Sequence, residues 1–209
     1  MKKIYLTAFA LVCGAALTAC STMSPVYTDG KATQVAEGRA LTLGLDKEDF
    51  ENAADAMIQS MLRDPAFATI SPNSRKVIAI GRIVNDTPQR IDTDKLVSKI
   101  TIALRKSGKF VLTTAVAAGG ARDGMGKSVR ELREDEEFNQ ATIAKKGTLV
   151  APDFSLAGKI RQESVKLPSG KVQVEYYFYL SVTDLTSGLA YWEDEKTISK
   201  LGDKKSVSW

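Results

Sequence analysis

Residues 76–112 read KVIAIGRIVNDTPQRIDTDKLVSKITIALRKSGKFVL, and the period of the apolar positions changes twice along them. Lys76 to Val84 is a near-continuous run of Val, Ile and Ala. Such a run suggests a strand covered on both faces, which implies helices on both sides of a sheet. Asn85-Asp86-Thr87-Pro88 closes it with turn residues. From Asp92 to Ser107 the spacing is helical: Asp92 and Asp94 stand at the start, Leu96, Ile100 and Leu104 share one face, and Gly108 supplies a C-cap. Phe110-Val111-Leu112 then opens a second strand. Strand, helix, strand in this order is a βαβ-like unit, and the fold class is α/β.

Upstream, Asp46 to Arg63 is an amphipathic helix, with Phe50, Ala54, Met57, Ile58, Met61 and Leu62 at helical spacing and Asp64-Pro65 as its stop. Downstream, residues 117–127 (AAGGARDGMGK) form a glycine-rich loop. Ser128-x-x-Glu131 has the capping-box pattern of a new helix. Apolar spacing lapses across Asp135-Glu136-Glu137, so that helix is solvated or broken before Gly147. Ser155–Ser164 and Lys171–Asp184 read as a hairpin turned by Pro168-Ser169-Gly170. In Lys171–Asp184 the apolar residues Val172, Val174, Tyr176, Phe178, Leu180 and Val182 alternate with polar ones. A last strand passes through Tyr191, Trp192 and Ile198. The expectation is one α/β domain over 46–209, a single mixed sheet of about four to five strands flanked by helices and preceded by a lipidated tether.

Composition excludes several chemistries. The chain has 209 residues with 29 Lys+Arg, 25 Asp+Glu, no His and 2 Cys. Without histidine there is no Ser-His-Asp or Cys-His catalysis and no imidazole metal site. Two cysteines make neither a disulfide scaffold nor a Cys₄ zinc site. No Lys/Arg stripe supports nucleic-acid binding. Ala121–Ser128 (ARDGMGKS) fits a loosened phosphate-binding loop, with Lys127 on phosphates and Ser128 on Mg²⁺. Ala121 replaces the first glycine, Asp123 puts a carboxylate into the anion cradle, and the loop does not turn directly off a strand. It reads as a loop rather than a nucleotide site. No catalytic residues, metal or cofactor are expected.

The N-terminus carries the sharpest signal. Met1-Lys2-Lys3 is a positive n-region, Ile4–Leu17 (IYLTAFALVCGAAL) an apolar h-region, and Leu17-Thr18-Ala19-Cys20 resembles the lipobox of bacterial lipoproteins. Residues 1–19 are then a signal peptide and Cys20 the lipidated N-terminus. The mature chain would hold 27 basic and 25 acidic residues and no other thiol. Ser21, rather than Asp, after the cysteine favours the outer membrane. Residues 20–45 read as lipid anchor and tether, the other reading of 21–45 being that part of it packs on the domain.

The lipobox, tether and 76–112 block together resemble the LpoB-type lipoproteins, activators of penicillin-binding proteins. Phe138-Asn139, Leu156-Ala157-Gly158-Lys159-Ile160 and Leu185-Thr186-Ser187-Gly188-Leu189-Ala190-Tyr191-Trp192 fit the same order, so the resemblance covers most of 46–198. It implies an outer-membrane lipoprotein facing the periplasm that binds a bifunctional peptidoglycan synthase and stimulates it without catalysis of its own. The family's long Pro-rich tether is here a short one with Pro25 alone. Exposed loops carry recognition more often than core strands, which selects Asn85, Asp86, Thr87, Arg90 and Lys109 as candidate partner contacts. Plain turn chemistry is the other reading of Asn85-Asp86-Thr87. The competing class is an envelope scaffold or a channel lipoprotein of the curli-secretion type, for which Val172–Val182 is one candidate membrane strand.

Overall fold

The computed structural model describes residues 25–28 and 42–203. Its elements are β1 (Val26–Tyr27), α1 (Lys47–Arg63), β2 (Lys76–Asp86), α2 (Thr93–Lys106), β3 (Phe110–Leu112), α3 (Met125–Glu131), β4 (Phe154–Lys166), β5 (Lys171–Asp184) and β6 (Ala190–Asp203), with short 3₁₀ turns between. One sheet runs in the order β1-β6-β5-β4-β2-β3. β2 is parallel to β3 and β4, and the remaining pairs are antiparallel. The sheet is mixed, as expected, and has six strands rather than four to five.

The βαβ unit forms as read. Asp92 caps α2 by accepting from the Asp94 N–H, and Gly108 just past its end adopts φ 73°, a left-handed backbone that glycine reaches without Cβ strain. α1 begins with a full capping box in which the Asp46 side chain accepts from Asp49 N–H and the Asp49 carboxylate accepts from Asp46 N–H.

The continuous apolar run of β2 is a bulged strand rather than one covered by helices on both faces. A register shift between Ile80 and Ile83 inserts an extra residue, so Ile78, Ile80 and Ile83 all enter the same core. Val84 is 40% exposed. Both long helices lie on one face: Ala53, Ala54 and Met57 of α1 and Leu96 of α2 surround Ile83, Ile160, Phe178 and Leu180, while Phe50 meets Phe178 edge-on at 5.7 Å. Every second residue of β5 from Val172 to Val182 is buried there, so the apolar side of this strand belongs to the core of a central strand. At the lower end Phe67 packs edge-on against Phe110, Phe154 and Tyr191. Gly158 is required where β4 lies beside Leu180 of β5, since a Cβ there would stand 2.6 Å from Tyr179 O and Leu180 Cδ2.

Two further readings change. Ser128 does not cap a helix: α3 starts at Met125 with Gly124 before it, and none of its seven residues is buried. The segment expected as tether also packs in its described parts. β1 pairs with β6, and Leu43 and Leu45 are buried in the core. A short apolar stretch interrupted by glycine carries no period, which is why 42–45 left no sequence signal.

Candidate docking surface

β4, β5 and β6 have a helix-covered face and an open one. Along the open face the register aligns Lys159 with Tyr179 and Glu195, and Arg161 with Tyr177 and Thr197. Arg161 Nη2 reaches Glu195 Oε2 at 2.7 Å, and its guanidinium lies 5.6 Å from the Tyr177 ring centroid. Tyr177 donates to Glu175 Oε2 at 2.5 Å, which pushes its phenol up to about 12. Tyr179 donates to Glu193 Oε2 at 2.8 Å. The hydrogen bonds from Tyr177 and Gln173 hold the Glu175 carboxyl below its ordinary value. The result is a half-exposed ladder of charge pairs around two tyrosines, with polar tips on amphipathic rings that suit a wet protein interface.

The loop of residues 85–90 stands at the upper end of this face. Asn85 Oδ1 accepts from the Thr87 N–H and hydroxyl, and Asn85 Nδ2 donates to Gln89 O at 2.8 Å. These two side chains are therefore engaged in shaping the turn. Asp86 pairs with Lys159 at 2.6 Å and extends the ladder onto β2; that ammonium holds the Asp86 carboxyl below the usual carboxylate range. Arg90 is exposed on the other side, in a cleft of about 660 Å³ between α1 and α2 floored by Phe50, Ile91 and Leu96. Lys99 of α2 spans this cleft to Glu51 of α1 at 3.0 Å.

Lys109 does not join this group. Its carbonyl pairs with Lys76 N–H at the start of β2, and its ammonium donates to Phe67 O at 2.8 Å. The ten steps of β2 separate it from the 85–90 loop by about 33 Å. Cys20 lies outside the described residues.

The sequence missed two residues that hold the loop and the N-terminal segment to the body. Gln89 accepts from Leu45 N–H at 2.9 Å and donates to Leu45 O at 3.0 Å. Lys200 is fully buried and donates to Asp49 Oδ2 at 2.5 Å and Gly44 O at 2.8 Å, with Asp46 Oδ2 at 3.6 Å. Tyr27 donates to the other Asp49 oxygen at 2.8 Å, and burial pushes its phenol far above the ordinary value. Strand parity gives Lys200 away: Trp192, Ile198 and Lys200 fall on one side of β6.

Among the described residues no cluster of three or more His, Cys, Asp or Glu is placed to hold a metal ion, and no helix is long and apolar enough to cross a membrane. Around ARDGMGKS, Met125 N–H donates to the Asp123 carboxylate, while the Lys127 and Ser128 N–H groups donate to Gly124 O. Three of the amides that a phosphate cradle would use are thus engaged within the segment.

Residues 49–198 match the family described as peptidoglycan-synthase activator LpoB. Solved structures similar to the chain include the LpoB C-terminal domain from Escherichia coli, at 12% identity over 71% of this chain and 97% of that one, with a TM-score of 0.41. The lipoprotein GNA1162 from Neisseria meningitidis is 14% identical over 59% and 82%, TM-score 0.35. The PelC dodecamer from Paraburkholderia phytofirmans is 16% identical over 65% and 76%, TM-score 0.26. No curated protein sequence matches the chain.

Proposed function

The chain belongs to the LpoB family of peptidoglycan-synthase activators, and from that premise we propose that it is an outer-membrane lipoprotein that docks on one bifunctional penicillin-binding protein and stimulates its glycan polymerisation and cross-linking. The observation that carries this reading is the family match over 49–198, the stretch that holds α2, β2 to β5 and most of α1 and β6. The anchor is lipid on Cys20 after removal of residues 1–19. The domain faces the periplasm from a tether within 20–45 and contributes no catalytic group.

The docking surface is the open face of β4–β6 with Asp86 at its rim. Its groups are neutralised by one another at half-exposed sites, so a partner can exchange these bonds for its own at small cost. Stimulation then requires only that the bound face prefer the active synthase conformation over the idle one. The core position of the apolar side of β5 favours this reading over a membrane-barrel strand.

The test is a synthesis assay in which each synthase of the source cell is run on lipid-linked precursor with and without the soluble 21–209 fragment. One synthase should accelerate and the others stay unchanged. A folded fragment that changes none of them would sink the activator reading and favour a scaffold or secretion component.

A further inference from the structure

The two ends of the sheet differ in charge. At the lower end lie the C-termini of α1 and α2, the starts of β2, β3 and β4, and the β5–β6 turn. Contacts join these pieces into one surface. Leu185 N–H donates to Asp153 O, Asp153 holds the Lys76 ammonium, Lys76 N–H donates to Lys109 O, the Lys109 ammonium donates to Phe67 O, and the Tyr191 hydroxyl donates to Ala66 O. Residues 63–76, 105–109, 149–153 and 184–191 hold six cations, Arg63, Arg75, Lys76, Arg105, Lys106 and Lys109, against three carboxylates, Asp64, Asp153 and Asp184. At the opposite end, 42–49, 85–95, 166–171 and 200–203 hold six cations against seven carboxylates.

The three carboxylates of the lower end are occupied within the fold. Asp64 accepts from Ala66 N–H, Asp153 from Lys76 and from Val77 N–H, and Asp184 from Thr186 and Ser187 N–H. Arg63, Arg75, Arg105 and Lys106 are exposed and form no ion pair among the described residues. Beside them four apolar side chains stand in water: Leu149, Val150, Leu185 and Leu189, with Val150 70% and Leu189 67% exposed. Leu185 and Leu189 are held at the tip of the β5–β6 turn by Gly188 N–H on Asp184 O and Asp184 N–H on Leu189 O. A small soluble anion would use the cations and leave these apolar tips hydrated. An anionic bilayer accepts both, the cations among its headgroups and the apolar tips at the acyl boundary.

We propose that the lower end of the domain is a membrane-contact surface that rests on an anionic phospholipid bilayer, with Arg63, Arg75, Arg105 and Lys106 among the headgroups and Leu185 and Leu189 at the acyl boundary. The strands run from this end to the 85–90 loop, about 33 Å away along β2. A domain seated in this way stands with its strands upright from the bilayer, and the open face of β4–β6 stays free for a protein partner.

The test is flotation of the soluble 21–209 fragment, which carries every described residue, with vesicles of phosphatidylcholine alone or with about 40% phosphatidylglycerol. Partition into the phosphatidylglycerol vesicles should exceed that into phosphatidylcholine by about 30-fold or more and fall as salt screens the headgroups. Arg105→Glu with Lys106→Glu, in the exposed last turn of α2, should reduce it by about 30-fold or more. Arg90→Glu with Lys95→Glu makes the same change of net charge at the other end and should leave partition within about twofold. Leu185→Ser with Leu189→Ser, which alters no charge, should weaken it several-fold at every salt concentration. Equal partition into the two kinds of vesicle would overturn the proposal, and so would equal losses from the two charge-reversed variants. A fragment that is dimeric in solution and turns monomeric with Leu185→Ser and Leu189→Ser would overturn it in favour of a second copy at this end. None of these outcomes depends on whether a synthase responds.

Discussion

The same three groups, a cation, a carboxylate and a tyrosine, meet twice in this molecule with opposite consequences. At Lys200, Asp49 and Tyr27 they are sealed under the N-terminal segment; at Arg161, Glu195 and Tyr177 they lie on an open sheet face. Burial removes water as an alternative partner, so each bond in the first cluster is one the fold must keep. Water remains available to the second, so its bonds contribute little to folding and can be traded at an interface. Position relative to the helices, rather than residue chemistry, separates a structural knot from a recognition surface.

The largest effect that follows is on the knot. Lys200→Ala leaves Asp49 buried without its ammonium and should lower stability by about 3–5 kcal/mol, read by urea or thermal unfolding. The double variant Asp49→Asn with Lys200→Met removes both charges and should recover part of that loss. A cost below about 1 kcal/mol for Lys200→Ala would mean that the two clusters do not differ as argued.

On the open face the readout is partner binding. Tyr177→Ala should weaken binding of the 21–209 fragment to its synthase by about 30-fold or more, the scale of an interface hot spot. Its unfolding midpoint should move little. Arg90→Ala, in the cleft on the helix-covered side, and Lys109→Ala, at the far end of β2, should both leave binding unchanged in the same titration. Equal losses for Tyr177→Ala and Lys109→Ala would contradict a localised surface. A double-mutant cycle on Arg161→Ala and Glu195→Ala should return a coupling of about 0.2–1 kcal/mol in stability. A value above 2 kcal/mol would place this pair with the buried one.

Much of this was legible in the sequence, and the remainder was hidden for identifiable reasons. Asp46, Asp92 and Gly108 mark helix ends because capping is local chemistry, and the alternation in β5 marks a one-sided strand because side chains have period two. The run Lys76–Val84 misled because a bulge supplies, in one extra residue, what a second covered face would supply in composition. β1, Gln89 and Lys200 depend on strand or side-chain partners 44 to 175 residues away in sequence, and no local pattern encodes those meetings. Among the candidate contacts, Asn85 and Thr87 turned out to be engaged in their own turn, and Lys109 was separated by the length of a strand the sequence does give.

Acid titration distinguishes the two environments by sign. Asp184, in the exposed β5–β6 turn, accepts from Ser187 and Thr186 N–H groups, which hold its carboxyl below the ordinary value. Its contribution is therefore present above the unfolded value of about 3.9 and is lost as pH falls through the lower folded one. Asp49 is the reverse: burial raises its carboxyl against the pull of Lys200. Between about 3.9 and that raised value the folded state binds the extra proton, so this group adds stability as pH falls. Asp184→Asn should accordingly make the acid limb of the stability curve shallower, and Asp49→Asn should make it steeper, whatever either does to stability at neutral pH. Unfolding free energies taken from pH 7 to pH 3 on the three chains separate these outcomes. A shared direction for the two variants would show that burial does not set the sign at Asp49.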